Sequence, residues 1–117
     1  MRDLMDAGAV VALGSDWPVT PADPRVGMAW ARLRRRPGSG DAPYRPDQAM
    51  TGEEALAGYT AAAAWVAGEE AVSGRVAPGM RADLTGFAAD PVTLPADELP
   101  ALPVTLTVSA GEVTHGG

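Results

Sequence analysis

The chain has 117 residues, a formal charge of −6, 46% hydrophobic residues and no cysteine. That length is the size of one domain. The missing thiols exclude a disulfide framework or a thiolate metal site, and the acidic balance argues against a general nucleic-acid binder. Aromatic residues make up only 5%, so a core must rest on Ala, Val and Leu. No apolar run approaches a membrane span. Lys, Asn and Ile are absent and every basic residue is Arg, a pattern of GC-rich coding rather than of function.

Met-Arg-Asp-Leu-Met-Asp at the start is acidic and amphipathic, unlike a secretory leader, and makes the cytoplasm the expected location. Arg2 to Ala7 reads as a short helix end stopped at Gly8. Ala9 to Leu13, "AVVAL", is continuously apolar with adjacent valines, which predicts a strand covered on both faces. It runs into Gly14-Ser15-Asp16-Trp17-Pro18 and a loop punctuated by Pro21 and Pro24. Arg25 to Arg36 has helical spacing, with Val26, Ala29, Trp30 and Leu33 on one face. Its run of Arg32, Arg34, Arg35 and Arg36 reads as a solvated helix end, where cations are favoured; phosphate binding is the alternative. Pro37 to Pro46 is a Gly/Pro-rich connection.

Thr51 followed by Glu54 is a capping-box pattern, and the helix continues through Tyr59 and the alanines around Trp65. Gly58 is the expected weak point and Gly68 the expected stop. Beyond Val72 the pattern changes to short β pieces. Leu84 to Ala88 is a candidate strand, Ala96 to Leu102 a helical turn. Val104 to Val108 alternates apolar and Thr residues as a half-buried strand, followed by a turn at Ala110-Gly111 and a last short strand. Glu69 and Glu70 read as surface residues or a structural joint, Asp83 as a turn-capping residue and His115 as tail.

Three motifs occur in order: "LGSDWPV", "MTGEEALAGYT" and "GEEAVSGRVAPGMRADL" with a following "DP". Together they resemble the C-terminal end of amidohydrolase family 3, metal-dependent hydrolases that cut C–N bonds in amide-type substrates. The resemblance runs from Arg2 to about Val113. It implies an α/β chain that is a C-terminal fragment of a (β/α)8 TIM barrel plus part of its small β-sandwich. Residues 1–72 would supply the last strand and closing helices, and residues 73–117 the sandwich share.

On that map Asp16 lies just past the C-terminal end of a barrel strand, where barrel enzymes build their sites. The resemblance gives it a place near the metal and the role of general base, then general acid. By spacing alone an Asp there is also an ordinary turn former. Ser15 and Trp17 are candidate substrate-pocket residues, with packing as the simpler reading. The complete enzyme implies a divalent metal, zinc by the resemblance. This chain has one histidine, His115, whereas a zinc site takes three or four protein ligands, so no metal is expected for the chain alone. The expected partners are an upstream barrel portion, a partner chain or a second copy, with a small amide-type substrate for the complete enzyme. The contrasting expectation is a non-catalytic, self-associating module or a decayed remnant.

Overall fold

A computed structural model describes residues 1–116. Helices fill the first two thirds of the chain and a small sheet the last third. The order is α1 (Arg2–Asp6), α2 (Pro24–Leu33), a 3-10 turn at Pro46–Gln48, α3 (Gly52–Tyr59), α4 (Ala61–Ala67), β1 (Leu84–Phe87), a 3-10 turn at Leu99–Ala101, β2 (Val104–Ser109) and β3 (Glu112–Gly116). Among the described residues no helix is long and apolar enough to cross a membrane.

Two of the helix starts, those of α2 and α3, have a local cause. Asp23 caps α2 by accepting the Arg25 N–H at 2.9 Å, and Pro24 occupies the first helical position, where a missing N–H costs nothing. The helix stops at Arg34, which is left-handed at φ 56°, three residues before Pro37. α3 opens with the full capping box. The Glu54 N–H donates to Thr51 Oγ1 at 3.2 Å, and the Thr51 N–H donates to Glu54 Oε2 at 2.7 Å. The break between α3 and α4 falls at Thr60 (φ −124°, ψ −94°), not at Gly58. The Thr60 hydroxyl bonds back to the Leu56 carbonyl at 2.8 Å, a local competitor of the helical ladder. Gly58 instead sits buried inside α3 with the Leu13 side chain against it. Gly68 ends α4 in the left-handed region at φ 71°.

The core lies between the helices. Met28, Ala29 and Ala31 of α2 meet Met50, Ala55, Leu99 and Leu102, and Leu99 is the one large side chain that is fully buried among the described residues. Arginines tie the long connections to this core. Arg32 donates to the carbonyls of Pro91 and Leu94 at 3.2 and 3.0 Å. Arg35 pairs with Asp97, whose carboxylate also accepts the Gly38 N–H at 2.7 Å. The expected solvated helix end is therefore corrected for these two: they hold the segment 91–97 in place.

The sheet is antiparallel throughout, in the order β1-β2-β3. Leu84 stands opposite Val108 and Gly86 opposite Leu106, with an irregularity between Gly86 and Phe87. β2 and β3 are joined by Ala110-Gly111, at φ 50° and 88°, the positive values that a two-residue hairpin turn requires. His115 is not tail but part of β3, opposite Thr107. Asp83 accepts the Ala110 N–H at 2.8 Å, so it caps the far hairpin from just ahead of β1. Arg81 bonds Asp83 and reaches Glu69 at 3.2 Å, which makes Glu69 a joint between α4 and the sheet.

The expected strand at Ala9–Leu13 is corrected. The segment pairs with no strand among the described residues; its Ala9 N–H donates to the Leu4 carbonyl and its Leu13 N–H to the distant Gly58 carbonyl, both at 2.9 Å. A strand needs a ladder partner as well as an apolar sequence, and the three strands present are hydrogen-bonded to one another.

Candidate functional site

Leu13 anchors the segment leading to Ser15, Asp16 and Trp17. Beyond it the chain turns sharply. Asp16 is left-handed at φ 50°, and the Trp17–Pro18 bond is cis. Asp tolerates the left-handed region better than most residues. The turn is closed by the Val19 N–H donating to the Asp16 carbonyl at 2.8 Å and by the Thr20 hydroxyl donating to the Ser15 carbonyl at 2.5 Å. Asp16 is exposed and takes part in none of the ion pairs among the described residues. Ser15 is half-buried and contributes its backbone to the turn. Trp17 is 71% exposed, so it does not pack into this chain's core.

The loop borders a cavity of about 810 Å³. Gly14 and the pair Val19–Thr20, which bracket Asp16 in the sequence, line it, whereas Ser15, Asp16 and Trp17 do not. The opposite wall comes from α2 and α3. Gly27 lets Tyr59 approach so closely that a Cβ at Gly27 would fall 1.8 Å from the Tyr59 hydroxyl oxygen. Burial, with the Asp23 charge, raises the Tyr59 pKa, so the hydroxyl stays protonated and able to donate. Trp30 and Tyr44 add aromatic surface, and Arg34 and Arg36 add charge. The sequence had placed Trp30 on a core-facing stripe and the two arginines in solvent. A glycine on the apolar side of a helix otherwise rich in large residues was the available signal that something bulky comes close.

Among the described residues no three His, Cys, Asp or Glu side chains gather into a set able to hold a metal ion. His115 lies in β3 with its Nε2 3.3 Å from the Val104 carbonyl. One carboxylate does not fit zinc, which takes three or four protein ligands.

The architecture is thus a mixed α/β chain whose helical part carries an exposed carboxylate turn and whose end carries a three-stranded antiparallel sheet. The fold is similar to part of the crystal structure of an amidohydrolase from Thermotoga maritima, with a TM-score of 0.71 and 24% identity over 99% of this chain and 25% of that one. The amidohydrolase family model matches residues 1–115, and the chain belongs to that family. It is 37% identical over 115 residues to the N-substituted formamide deformylase of Arthrobacter pascens, a match covering 98% of this chain and 21% of the relative. It is 30% identical to YtcJ of Bacillus subtilis, a protein carrying an amidohydrolase name, over 97% of this chain and 22% of that one. The chain spans about a fifth of the length of these curated relatives.

Proposed function

We propose that this chain is the C-terminal segment of a metal-dependent amidohydrolase that cleaves a non-peptide, amide-type C–N bond, and that it is inactive alone. The observation that carries the reading is the match along residues 1–115, with a relative named for deformylating N-substituted formamides. Residues 1–72 then belong to a (β/α)8 barrel and residues 73–117 to its sandwich. The upstream portion of the barrel is the partner, and it brings the metal ligands that this chain lacks.

Asp16 carries the chemistry assigned to this chain. It accepts a proton from the attacking water as the water oxygen bonds to the carbonyl carbon. It returns that proton to the nitrogen as the C–N bond breaks. Its exposure on a closed turn and its lack of an ion-pair partner among the described residues suit a carboxylate that must meet a reacting group. Ser15 and Trp17 shape the approach to it.

The test is a completed enzyme, with the upstream portion supplied in cis or in trans. Asp16→Asn is expected to lower kcat by a factor of roughly 10² or more and to change KM far less. Near-normal turnover in the Asn variant would make Asp16 structural. The second reading is a non-catalytic, self-associating module. It is favoured by the large apolar side chains left at the surface, with Val76 88%, Val19 75% and Tyr44 75% exposed. Failure of every upstream portion to yield hydrolysis would support it.

A further inference from the structure

The loop that carries Asp16 runs from Gly14 to Asp23, between Leu13 and the first turn of α2. Both of its arms rest on the end of α3. Ahead of the loop, the Leu13 N–H donates to the Gly58 carbonyl at 2.9 Å. That carbonyl lies in the last turn of α3, where a helix leaves its carbonyls without a partner of its own. The Leu13 side chain also lies on Gly58: a Cβ there would fall 2.7 Å from Leu13 Cγ and 2.9 Å from Leu13 Cδ1. Beyond the loop, Gly27 of α2 receives Tyr59, whose ring carbons Cζ and Cε2 would stand 2.7 and 3.0 Å from a Cβ at Gly27. Gly58 and Tyr59 are consecutive residues of one helix. The bonds inside the loop, from Val19 to Asp16 and from Thr20 to Ser15, fix the shape of the turn but not its place.

We propose that Gly58 and Tyr59 are positioning residues for the Asp16 carboxylate: each holds one arm of its loop, so the last turn of α3 sets where the Asp16 turn stands. The proposal rests on the amidohydrolase reading and adds to it two residues that touch no reacting atom and act through Asp16. Neither contact has room for a methyl group, so Gly58→Ala must push the Leu13 arm aside. Alanine is the better helix former, so that substitution moves the arm without weakening α3 itself. A misplacement of about 1 Å at a reacting group can cost roughly 10²-fold in rate, which makes a small shift of this arm readable.

Two measurements test this. In the 117-residue chain, amide chemical shifts read the turn without turnover. Gly58→Ala is expected to move the amide resonances of Asp16, Trp17 and Val19. Adding Leu13→Ala removes the atoms in the way and should bring them back towards the parent positions. Circular dichroism recorded alongside shows that the helices persist. Resonances that ignore Gly58→Ala would overturn the proposal. The second measurement uses the completed enzyme. Gly58→Ala and Tyr59→Ala should each lower kcat roughly tenfold or more and leave KM within about twofold. Tyr59→Phe keeps the ring and should recover most of that loss. The deciding comparison is the same substitutions in the Asp16→Asn enzyme, where residues that act only through Asp16 cost nothing further. Equal losses in the parent and in the Asp16→Asn enzyme would make both residues ordinary packing and overturn the proposal. The broader reading fails separately: a completed enzyme that hydrolyses no amide sinks it, while the hold of Gly58 on the turn still stands or falls on the resonances of the chain itself.

Discussion

Gly52 shows how one residue sets two opposing terms. It occupies the first position of α3, where alanine would ordinarily gain up to about 1 kcal/mol of helix propensity. A Cβ at Gly52 would fall 2.1 Å from the Val92 carbonyl oxygen and 2.9 Å from its carbonyl carbon. Backbone cannot step aside as a side-chain tip can, and overpacking costs about 1–3 kcal/mol. The steric term wins. Gly52→Ala should lower stability by about 1–2 kcal/mol, read as an earlier midpoint in urea unfolding, and an unchanged or later midpoint would show that the 91–97 connection yields easily. The Asp16 turn makes a related point about legibility. The sequence signalled a turn through Asp and Pro. It could not show that Trp17 would be exposed or that the nearby cavity would be walled by Tyr59, because such proximity depends on how α2 and α3 pack.

The elements whose causes are local were the legible ones. The capping box at Thr51 and Glu54, the left-handed stop at Gly68 and the hairpin about Ala110-Gly111 each need only a few neighbouring residues, and each is present. Ala9–Leu13 shows the converse, since its apolar run reads as a strand while a ladder needs a partner from elsewhere. The α1–α3 contact adds a property that spacing alone hid. Glu54 both completes the α3 cap and takes an ion pair from Arg2. The Arg2 hydrogen bond, followed by that from the Thr51 N–H, holds the Glu54 pKa down from 4.5 to about 2. A carboxyl group lowered on folding stabilises the fold above its unfolded pKa. That contribution fades as pH falls from about 4.5 through about 2. Glu54→Gln should therefore flatten this part of the acid-unfolding curve, measured as melting temperature against pH. An equally steep curve in the variant would place the acid sensitivity in other carboxylates.

At the scale of the whole molecule the core is thin. Among the described residues, half of the eight buried hydrophobic ones are alanines. The Cα radius of gyration is 14.7 Å, above the roughly 13.4 Å expected of a compact domain of this length. Large apolar side chains at the surface and two open sheet edges, on β1 and β3, favour association. Sedimentation at micromolar concentration should show oligomers or aggregates; a single monomeric species with one sharp unfolding transition would mean that the chain is self-sufficient. The Glu69–Arg81–Asp83 joint bears on how that chain comes apart. Asp83 grips the hairpin turn at Ala110 while Arg81 holds both Asp83 and Glu69, and the Arg81 N–H reaches the Val72 carbonyl at 2.7 Å. The sheet meets the helical core through Phe87 and through Leu99 and Leu102 of the β1–β2 connection, and these bonds add a second tie between the two parts. Cutting them with Asp83→Ala should let the sheet breathe independently. Amide hydrogens of β2 should then exchange faster with solvent while those of α2 keep their protection, and a uniform change across both would show that the coupling runs through buried side chains instead.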